Sequence, residues 1–379
     1  MIDIISDLFN SNHRKPIFKV VVTSKDDKTQ KDITHIVIER LISLTPTDNR
    51  GFEADQLDIT LSDHDSELVL PSRGATINLA IGFKDIGLVD KGSYKVDEIE
   101  FSGPPDTLVL RARSADLFGS LTTKQERSFH KIKIKDLVAQ LATENKLKPL
   151  CDKELGGQTI EHLDQQNEST INLLTRLAKE YDAIATVKNG YLMFFYAGEM
   201  KTANGKPLPS ILITKQSGDS YRFNIAEGDN YSAVRAYYYN TNTGEKGEVI
   251  IDKHSEIQHK NIITKTGKVS KNKQKVLVQH QPVESDANQM KTLRHTYDSE
   301  KRAINSAKAA FDKMKRGVAS FSLTLAYGRP ELIPEMPAVL AGFKGQIDSS
   351  KWIVTQVTHN LNGSGYTSNV EFELNPKTE

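Results

Sequence analysis

The sequence predicts an α+β chain, mainly β, in which two similar small β-barrels flank an α/β unit and a long helix is inserted before the last strands. Three observations lead there. Short apolar segments with period-two alternation occupy both ends of the chain, the spacing becomes helical in the middle, and the two ends share an ordered set of matches. At 379 residues the chain exceeds one ordinary core; at ~100–200 residues per domain it should hold two to four.

At the N-terminal end, Ile17-Phe18-Lys19-Val20-Val21-Val22 is β-branched and aromatic. Asp26-Asp27-Lys28 supplies a turn, and Ile33 to Ile38 resumes strand character. Leu57 to Leu61, Thr76 to Ile81 and Tyr94 to Ile99 alternate, and Thr107 to Ala112 closes the series. Short strands broken by turn residues fit a barrel or sandwich. Helical spacing then places Ile134, Leu137, Val138 and Leu141 on one face of a helix from Ile134 to Asn145, with Pro149 ending that unit. A second helix, Glu168 to Tyr181, carries the stripe Ile171, Leu174, Leu177, Ala178 and Tyr181. Asn167 or Ser169 is its N-cap, because either side-chain oxygen can accept from an unpaired first-turn amide. Tyr191 to Tyr196 is a strand, and the α/β unit ends near Gly205-Lys206-Pro207.

Strands return from about Ile211 to Ile251. The longest helix is expected from about Ser285 to Arg316, with Met290, Leu293, Tyr297, Ile304, Ala307, Phe311 and Met314 at three-four spacing, interrupted at Glu300. Its seam would pack on its own barrel or on a neighbouring subunit's. Ser320 to Leu325, Val339 to Phe343, Trp352 to Val357 and Asn369 to Leu374 complete the chain. The expected domains are 1–115, a first barrel; 116–207, the α/β unit; and 208–379, a second barrel with a Lys-rich β insertion and the long helix at about 246–316.

The two ends resemble each other. Leu57-Asp58-Ile59-Thr60-Leu61 matches Phe321-Ser322-Leu323-Thr324-Leu325 at an offset of 264, and Glu67-Leu68-Val69 matches Glu331-Leu332-Ile333 at the same offset. Gly82-Phe83-Lys84 matches Gly342-Phe343-Lys344 at 260. Tyr94-Lys95-Val96 matches Trp352-Ile353-Val354 at 258, with Ile99 on Val357. Ordered self-similarity points to a repeated structural unit. Three chains with two such units each would make six similar units, able to join a sixfold tube to a threefold spike.

Fifty Lys and Arg against forty-nine Asp and Glu leave no overall field that would select nucleic acid or membrane as the main partner. One cysteine, Cys151, excludes an intrachain disulfide framework and a Cys-rich zinc site, and fits folding in a reducing cytoplasm. The first residues, Met1-Ile2-Asp3-Ile4-Ile5-Ser6-Asp7, do not resemble a signal peptide. The longest apolar runs, such as Leu192 to Ala197, are about a third of a bilayer span. A soluble protein without membrane contact is expected.

His162-Leu163-Asp164-Gln165-Gln166-Asn167-Glu168-Ser169, with Leu173-Leu174-Thr175-Arg176-Leu177-Ala178 and Tyr181-Asp182-Ala183 after it, resembles the signature of the phage late control protein D family. That family is related to the hub portion of the valine-glycine repeat proteins of type VI secretion. Trp352, Val357, Thr358, His359 and Gly365-Tyr366-Thr367 resemble its C-terminal segment. The resemblance implies a structural baseplate hub of a contractile tail or related injection device. It would be a homotrimer around a channel, with the tail tube protein above, the central spike protein below and the tape measure protein as a further partner. It would be assembled in the host cytoplasm and located in the virion tail baseplate. The sequence ends at Glu379 without spike repeats, so the spike is expected as a separate chain. The competing reading is a tail-associated cell-wall hydrolase or carbohydrate-binding tail component.

No catalytic, cofactor-binding or metal residue is assigned, and no cofactor is expected. Asp164, Gln165, Asn167, Glu168 and Arg176 hold acid–base groups, but at a helix start, where caps and buried polar ties account for them. Asp63-His64-Asp65 with Glu67 offers oxygen and imidazole ligands without calcium-loop spacing; a solvated turn is the expectation. His254 and His259 lack the zincin Glu, and Cys151 reads as an inert thiol. From Ile257 to Val283 there are six lysines (Lys260, Lys265, Lys268, Lys271, Lys273 and Lys275) and no acid. A solvated hairpin, an acidic protein partner or DNA in transit through the channel would each use them, though no aromatic residue in the run stacks bases.

Overall fold

The structure, a computed structural model, describes residues 15–25, 28–72, 74–114, 120–188, 190–199, 206–225, 231–240, 243–263, 269–280 and 290–375, with the backbone alone at 259–263 and 269–275. The chain divides into two compact units. Of the described residues, the first holds those within Met1–Leu173, Ile184–Asn224 and Ser320–Asn375, and the second those within Leu174–Ala183 and Ile225–Ala319.

The first unit opens with β1 (Pro16–Thr23), β2 (Gln30–Asp32), α1 (Thr34–Arg40), β3 (Leu41–Asp48), β4 (Gln56–Ser62), β5 (Thr76–Phe83), β6 (Gly87–Ser102) and β7 (Thr107–Ser114). The alternation buries Leu57, Ile59 and Leu61 of β4 with Ile77, Leu79 and Ile81 of β5 and Leu108, Leu110 and Ala112 of β7. The strand expected over Ile33 to Ile38 is instead mostly the helix α1. Ile33, Val37 and Leu41 are spaced by four, and all three join the core, whereas Ile38 is 60% exposed. Asp32 starts the helix by accepting from the Thr34 amide, 2.9 Å. The expected turn residues Asp26 and Asp27 lie outside the described residues.

Next come β8 (Lys124–Lys133), α2 (Ile134–Glu144), β9 (Lys148–Cys151), α3 (Lys153–Gly156), β10 (Thr159–Ser169), α4 (Thr170–Tyr181), β11 (Ala183–Lys188) and β12 (Tyr191–Tyr196). β8 pairs antiparallel with β10, and β11, β12 and β9 form a second sheet. Ile134, Leu137, Val138 and Leu141 are buried as their spacing requires. Pro149 does not end the unit: it lies inside β9, which pairs parallel with β12.

The remaining elements are β13 (Ile211–Thr214), β14 (Gly218–Ile225), β15 (Ala233–Tyr239), β16 (Lys246–Asp252), β17 (Ser255–Ile263), β18 (Val269–Gln279), β19 (Met290–Tyr297), α5 (Glu300–Arg316), β20 (Ala319–Leu325), β21 (Pro337–Ala341), α6 (Gly345–Asp348), β22 (Trp352–Asn362) and β23 (Gly365–Leu374). In the second unit, α5 packs on the sheet β16-β15-β19, around Val234, Ala236, Val249, Ile251, Ile304, Ala307 and Phe311. The long helix is thus shorter than expected. Met290, Leu293 and Tyr297 sit on strand β19, and Glu300 is the first residue of α5 rather than an interruption; a carboxylate there suits the positive end of the helix. Ser285 lies outside the described residues. The helix seam covers neither expected barrel; it covers the second unit's own three strands.

Among the described residues the first unit's main sheet has thirteen strands, in the order β14-β20-β23-β22-β3-β4-β7-β6-β5-β1-β2, with β13 and β21 attached beside β22. No pairing closes it into the two separate barrels expected. The second half of β22 gives its free edge to β3 and so joins the two halves into one sheet.

Two runs within this sheet follow the same order, β3-β4-β7-β6-β5-β1 and β14-β20-β23-β22-β21-β13. Their registers agree across β4-β7-β6 and β20-β23-β22, whereas the last pairs differ, β1 running antiparallel to β5 and β13 parallel to β21. In the first, Leu57 faces Ala112, which faces Val96; in the second, Phe321 faces Phe372, which faces Val354. Both runs carry a one-residue bulge at the same place, Asp97 in β6 and Thr355 in β22, separated by the offset of 258 seen in sequence. Tyr94 and Trp352, both 1% exposed, hold matching positions. The Gly-Phe-Lys match does not survive. Gly82 lies within β5, where a Cβ would fall 1.9 Å from the Gly87 carbonyl oxygen; Gly342 follows β21 and is needed for its φ of +86°.

Candidate functional site

The two runs meet along β3 and β22, where side-chain ties back up the ladder. Thr47 and Thr358 hydroxyls are 3.2 Å apart, and Thr45 donates to Asn360 at 3.4 Å. At the end of β3 the contact becomes charged. Lys91 from β6 donates to Asp48 Oδ2 at 2.9 Å and to the Leu332 carbonyl at 3.3 Å, its side chain only 2% exposed. His359 of β22 is fully buried, with Nε2 3.9 Å from the same Asp48 oxygen. Its Nδ1 is 2.8 Å from Ser368 Oγ and 2.9 Å from the Tyr366 hydroxyl. Burial, and secondarily the Lys91 charge, push His359 well below the ordinary imidazole range, so the ring is neutral. Burial pushes the Tyr366 phenol up, so its hydroxyl stays protonated beside Nδ1.

A second set of charges continues the seam. Arg50 reaches Glu335 at 2.5 Å and pairs with Glu373, joining the loop after β3 to the second run. Glu335 also accepts from the Gly198 amide at 3.1 Å. Lys188 of β11 contacts Asp55 at 3.1 Å, and burial pushes the Asp55 carboxyl up despite that lysine. A cavity of about 360 Å³ opens among these groups, with Met193 and Phe195 on its apolar side. Its charges are engaged with one another. Such an arrangement sets the relative position of two sheet halves, because removing either partner strands a buried charge.

The sequence-selected residues do not gather in this cavity. Asp164 accepts from Ser128 at 2.5 Å. Gln165, fully buried, accepts from Arg127 Nε at 2.8 Å and donates to the Glu168 carbonyl at 2.8 Å. Asn167 has φ +47°, a left-handed conformation that Asn tolerates, at the bulge of β10. Ser169, not Asn167, caps α4, accepting from the Asn172 amide at 3.2 Å. The signature is therefore a bulge and a cap. In the Asp63–Glu67 turn, Arg40 clamps Asp65 bidentately and holds its carboxyl well below the usual range, while Asp63 accepts from the Leu68 amide at 3.0 Å. His254 sits at the turn into β17, and the side chain of His259 lies outside the described residues. Lys260, Lys271, Lys273 and Lys275 fall on the backbone of the β17/β18 hairpin, and Lys265 and Lys268 lie outside the described residues. Burial, then Asp152, pushes the Cys151 thiol up to about 12, which leaves it protonated and unreactive at neutral pH. Among the described residues no group of three His, Cys, Asp or Glu side chains converges on a metal position, and no helix is long and apolar enough to cross a membrane. The seam itself was missed in sequence. Its one trace was the His359 to Tyr366 segment, since Asp48, Lys91 and Glu335 are far apart along the chain.

The chain is thus mainly β, with buried charges tying its two strand runs together. The chain belongs to the phage tail baseplate hub family, structural components of the virion tail, whose model matches residues 56–365. It is 40% identical over 367 residues to a probable baseplate hub protein of Escherichia phage 186, covering 95% of this chain and 93% of the relative. It is 39% identical over 351 residues to the corresponding protein of Escherichia phage P2, covering 91% of each. A tail protein of Neisseria meningitidis MC58 shares the fold at 10% identity, with a TM-score of 0.64 over 95% of this chain and 96% of that one.

Proposed function

We propose that this chain is a non-enzymatic hub that forms a homotrimeric ring joining the sixfold tail tube to the threefold central spike of a contractile tail. The observation that carries the reading is the duplication. Two runs share strand order and, across their middle strands, register and bulge position, so three chains supply six similar units on a true threefold axis. The ring lines a channel, the partners are the tube, spike and tape measure proteins, and assembly takes place in the host cytoplasm. In domain terms, 1–115 and 208–379 are the two barrel-like parts of that ring, 116–207 is the outer α/β domain, and the Lys-rich insertion with the helix, about 246–316, belongs to the second part's sequence. In the ring the runs curve into barrel-like walls.

The repeat also indicates how subunits meet. Within a chain, the second half of β22 takes β3 as neighbour. The same operation applied to the other run sets β14 against the second half of β6. β14 is an end strand with Tyr221 47% exposed, and the second half of β6 has Phe101 53% exposed. A neighbour's β14 added there would repeat the internal contact around the ring. Permanent hub contacts of this kind bury more than ~2,000 Å².

Co-expression of this chain with its tube and spike proteins tests the proposal. Native mass spectrometry should give complexes with three hub copies; one hub copy per tube subunit would contradict it. Purified chain should leave peptidoglycan intact. Fragment release that disappears on substituting Glu168 or Asp164 would favour a wall hydrolase.

A further inference from the structure

We infer that His130 and His162 form a surface site for a late first-row divalent cation, with Asp164 as the residue that positions His162. The two histidines are directly opposite each other in the antiparallel β8/β10 pair, and their Nδ1 atoms are 3.1 Å apart. Two imidazole nitrogens bound to one zinc ion at ~2.0–2.1 Å lie about 2.9 Å apart at a right angle and about 3.3 Å apart at the tetrahedral angle. The observed separation falls between them. The rings are tilted by 31° with centroids 4.7 Å apart.

The surroundings fit a ligand pair better than a chance neighbour contact. Nε2 of His162 is 2.9 Å from Asp164 Oδ2, and the other Asp164 oxygen accepts from Ser128 at 2.5 Å. Ser128 and Asp164 are themselves opposite each other, two residues along the ladder on the same face. A carboxylate holding the far N–H of a histidine fixes its tautomer, leaves Nδ1 as the donor atom and strengthens it, which is the usual support behind a metal-bound imidazole. The His162 side chain is 49% exposed, so an ion can enter from solvent. With two protein ligands the remaining positions take water. Imidazole donors favour copper, nickel and zinc over magnesium or calcium, and zinc is the ion that needs no redox chemistry to remain there.

The test uses the full chain and two metals alone. Isothermal titration with Zn²⁺ should show one saturable site per chain. His130→Gln and His162→Gln, which retain a polar side chain on the exposed strands, should each weaken it at least tenfold. Asp164→Asn should weaken it by about tenfold, at the low end for an outer-shell partner. Cu²⁺ electron paramagnetic resonance should show coupling to two imidazole nitrogens in the unaltered chain and to one in either histidine variant. Circular dichroism confirms the fold of each. The inference is overturned if no saturable Zn²⁺ site appears, or if the site and the copper spectrum are unchanged by the double substitution His130→Gln, His162→Gln.

Discussion

β6 and β22 are the same strand made twice, and they end differently. Each carries a fully buried aromatic, Tyr94 inside β6 and Trp352 at the start of β22, then a valine two residues on and a bulge at the next residue. Beyond the bulge they diverge. β22 continues under cover of β3, and its His359 is fully buried; the residue 258 earlier, Phe101 of β6, is 53% exposed. The duplicated part is therefore backbone register and inward packing. What has diverged is the edge, where one copy meets its own chain and the other faces solvent. Side-chain identity has drifted even inside: Phe321, Phe372 and Trp352 cluster where the first run has Leu57, Ala112 and Tyr94. A fold can conserve pairing while exchanging aliphatic for aromatic packing, provided each core fills its own volume.

The comparison breaks most easily at its buried aromatics. Trp352→Ala should cost roughly 3–5 kcal/mol in packing, with about 1 more for the Ile347 carbonyl, which now accepts from the indole N–H at 3.0 Å. Tyr94→Ala should cost a comparable ~3–5 kcal/mol by denaturant unfolding. A neutral result at either would mean that the two positions are not equivalent. The seam exists once, so its effects should have no counterpart in the other run. Lys91→Met leaves Asp48 buried without its cation and should destabilise by about 3–5 kcal/mol, whereas Ser349, 258 residues on, is a helix C-cap and its replacement by Ala should change stability by less than ~0.5 kcal/mol.

The buried His359 sharpens the contrast through pH. Its folded pKa is depressed, so the unfolded chain binds the extra proton. The stabilisation from keeping it neutral is full above the unfolded value of ~6.5 and is lost as pH falls, by up to about 1.4 kcal/mol per pH unit. Unfolding midpoints measured from pH 7.5 to 5 should fall, and should fall less in His359→Asn. The smallest expected effect lies in the signature segment. Ser169→Ala removes the cap of α4 and should cost about 1 kcal/mol in thermal or denaturant unfolding.

The strands were legible because alternation at β4, β5, β7 and β20 coincides with one buried and one outward face. The apolar stripes of α2 and α4 were legible for the corresponding reason at helical spacing. The errors arose where two periods overlapped. Ile33, Val37 and Leu41 share helical spacing inside a β-branched run, and Met290, Leu293 and Tyr297 share it inside a strand that pairs parallel with β15. Closure into barrels was not readable because it depends on which edge a long bent strand offers, and β22 offers its second half to β3. The seam was not readable because its charges come from distant segments that only folding brings together.

The measurement closest to the central claim is a density map of the assembled baseplate in which copies of this chain are counted and traced. The account predicts three copies around the axis, both strand runs of each facing the channel, and β14 of one copy hydrogen-bonded along the second half of β6 in the next. Six copies, or a chain at the periphery with those edges apart, would contradict it.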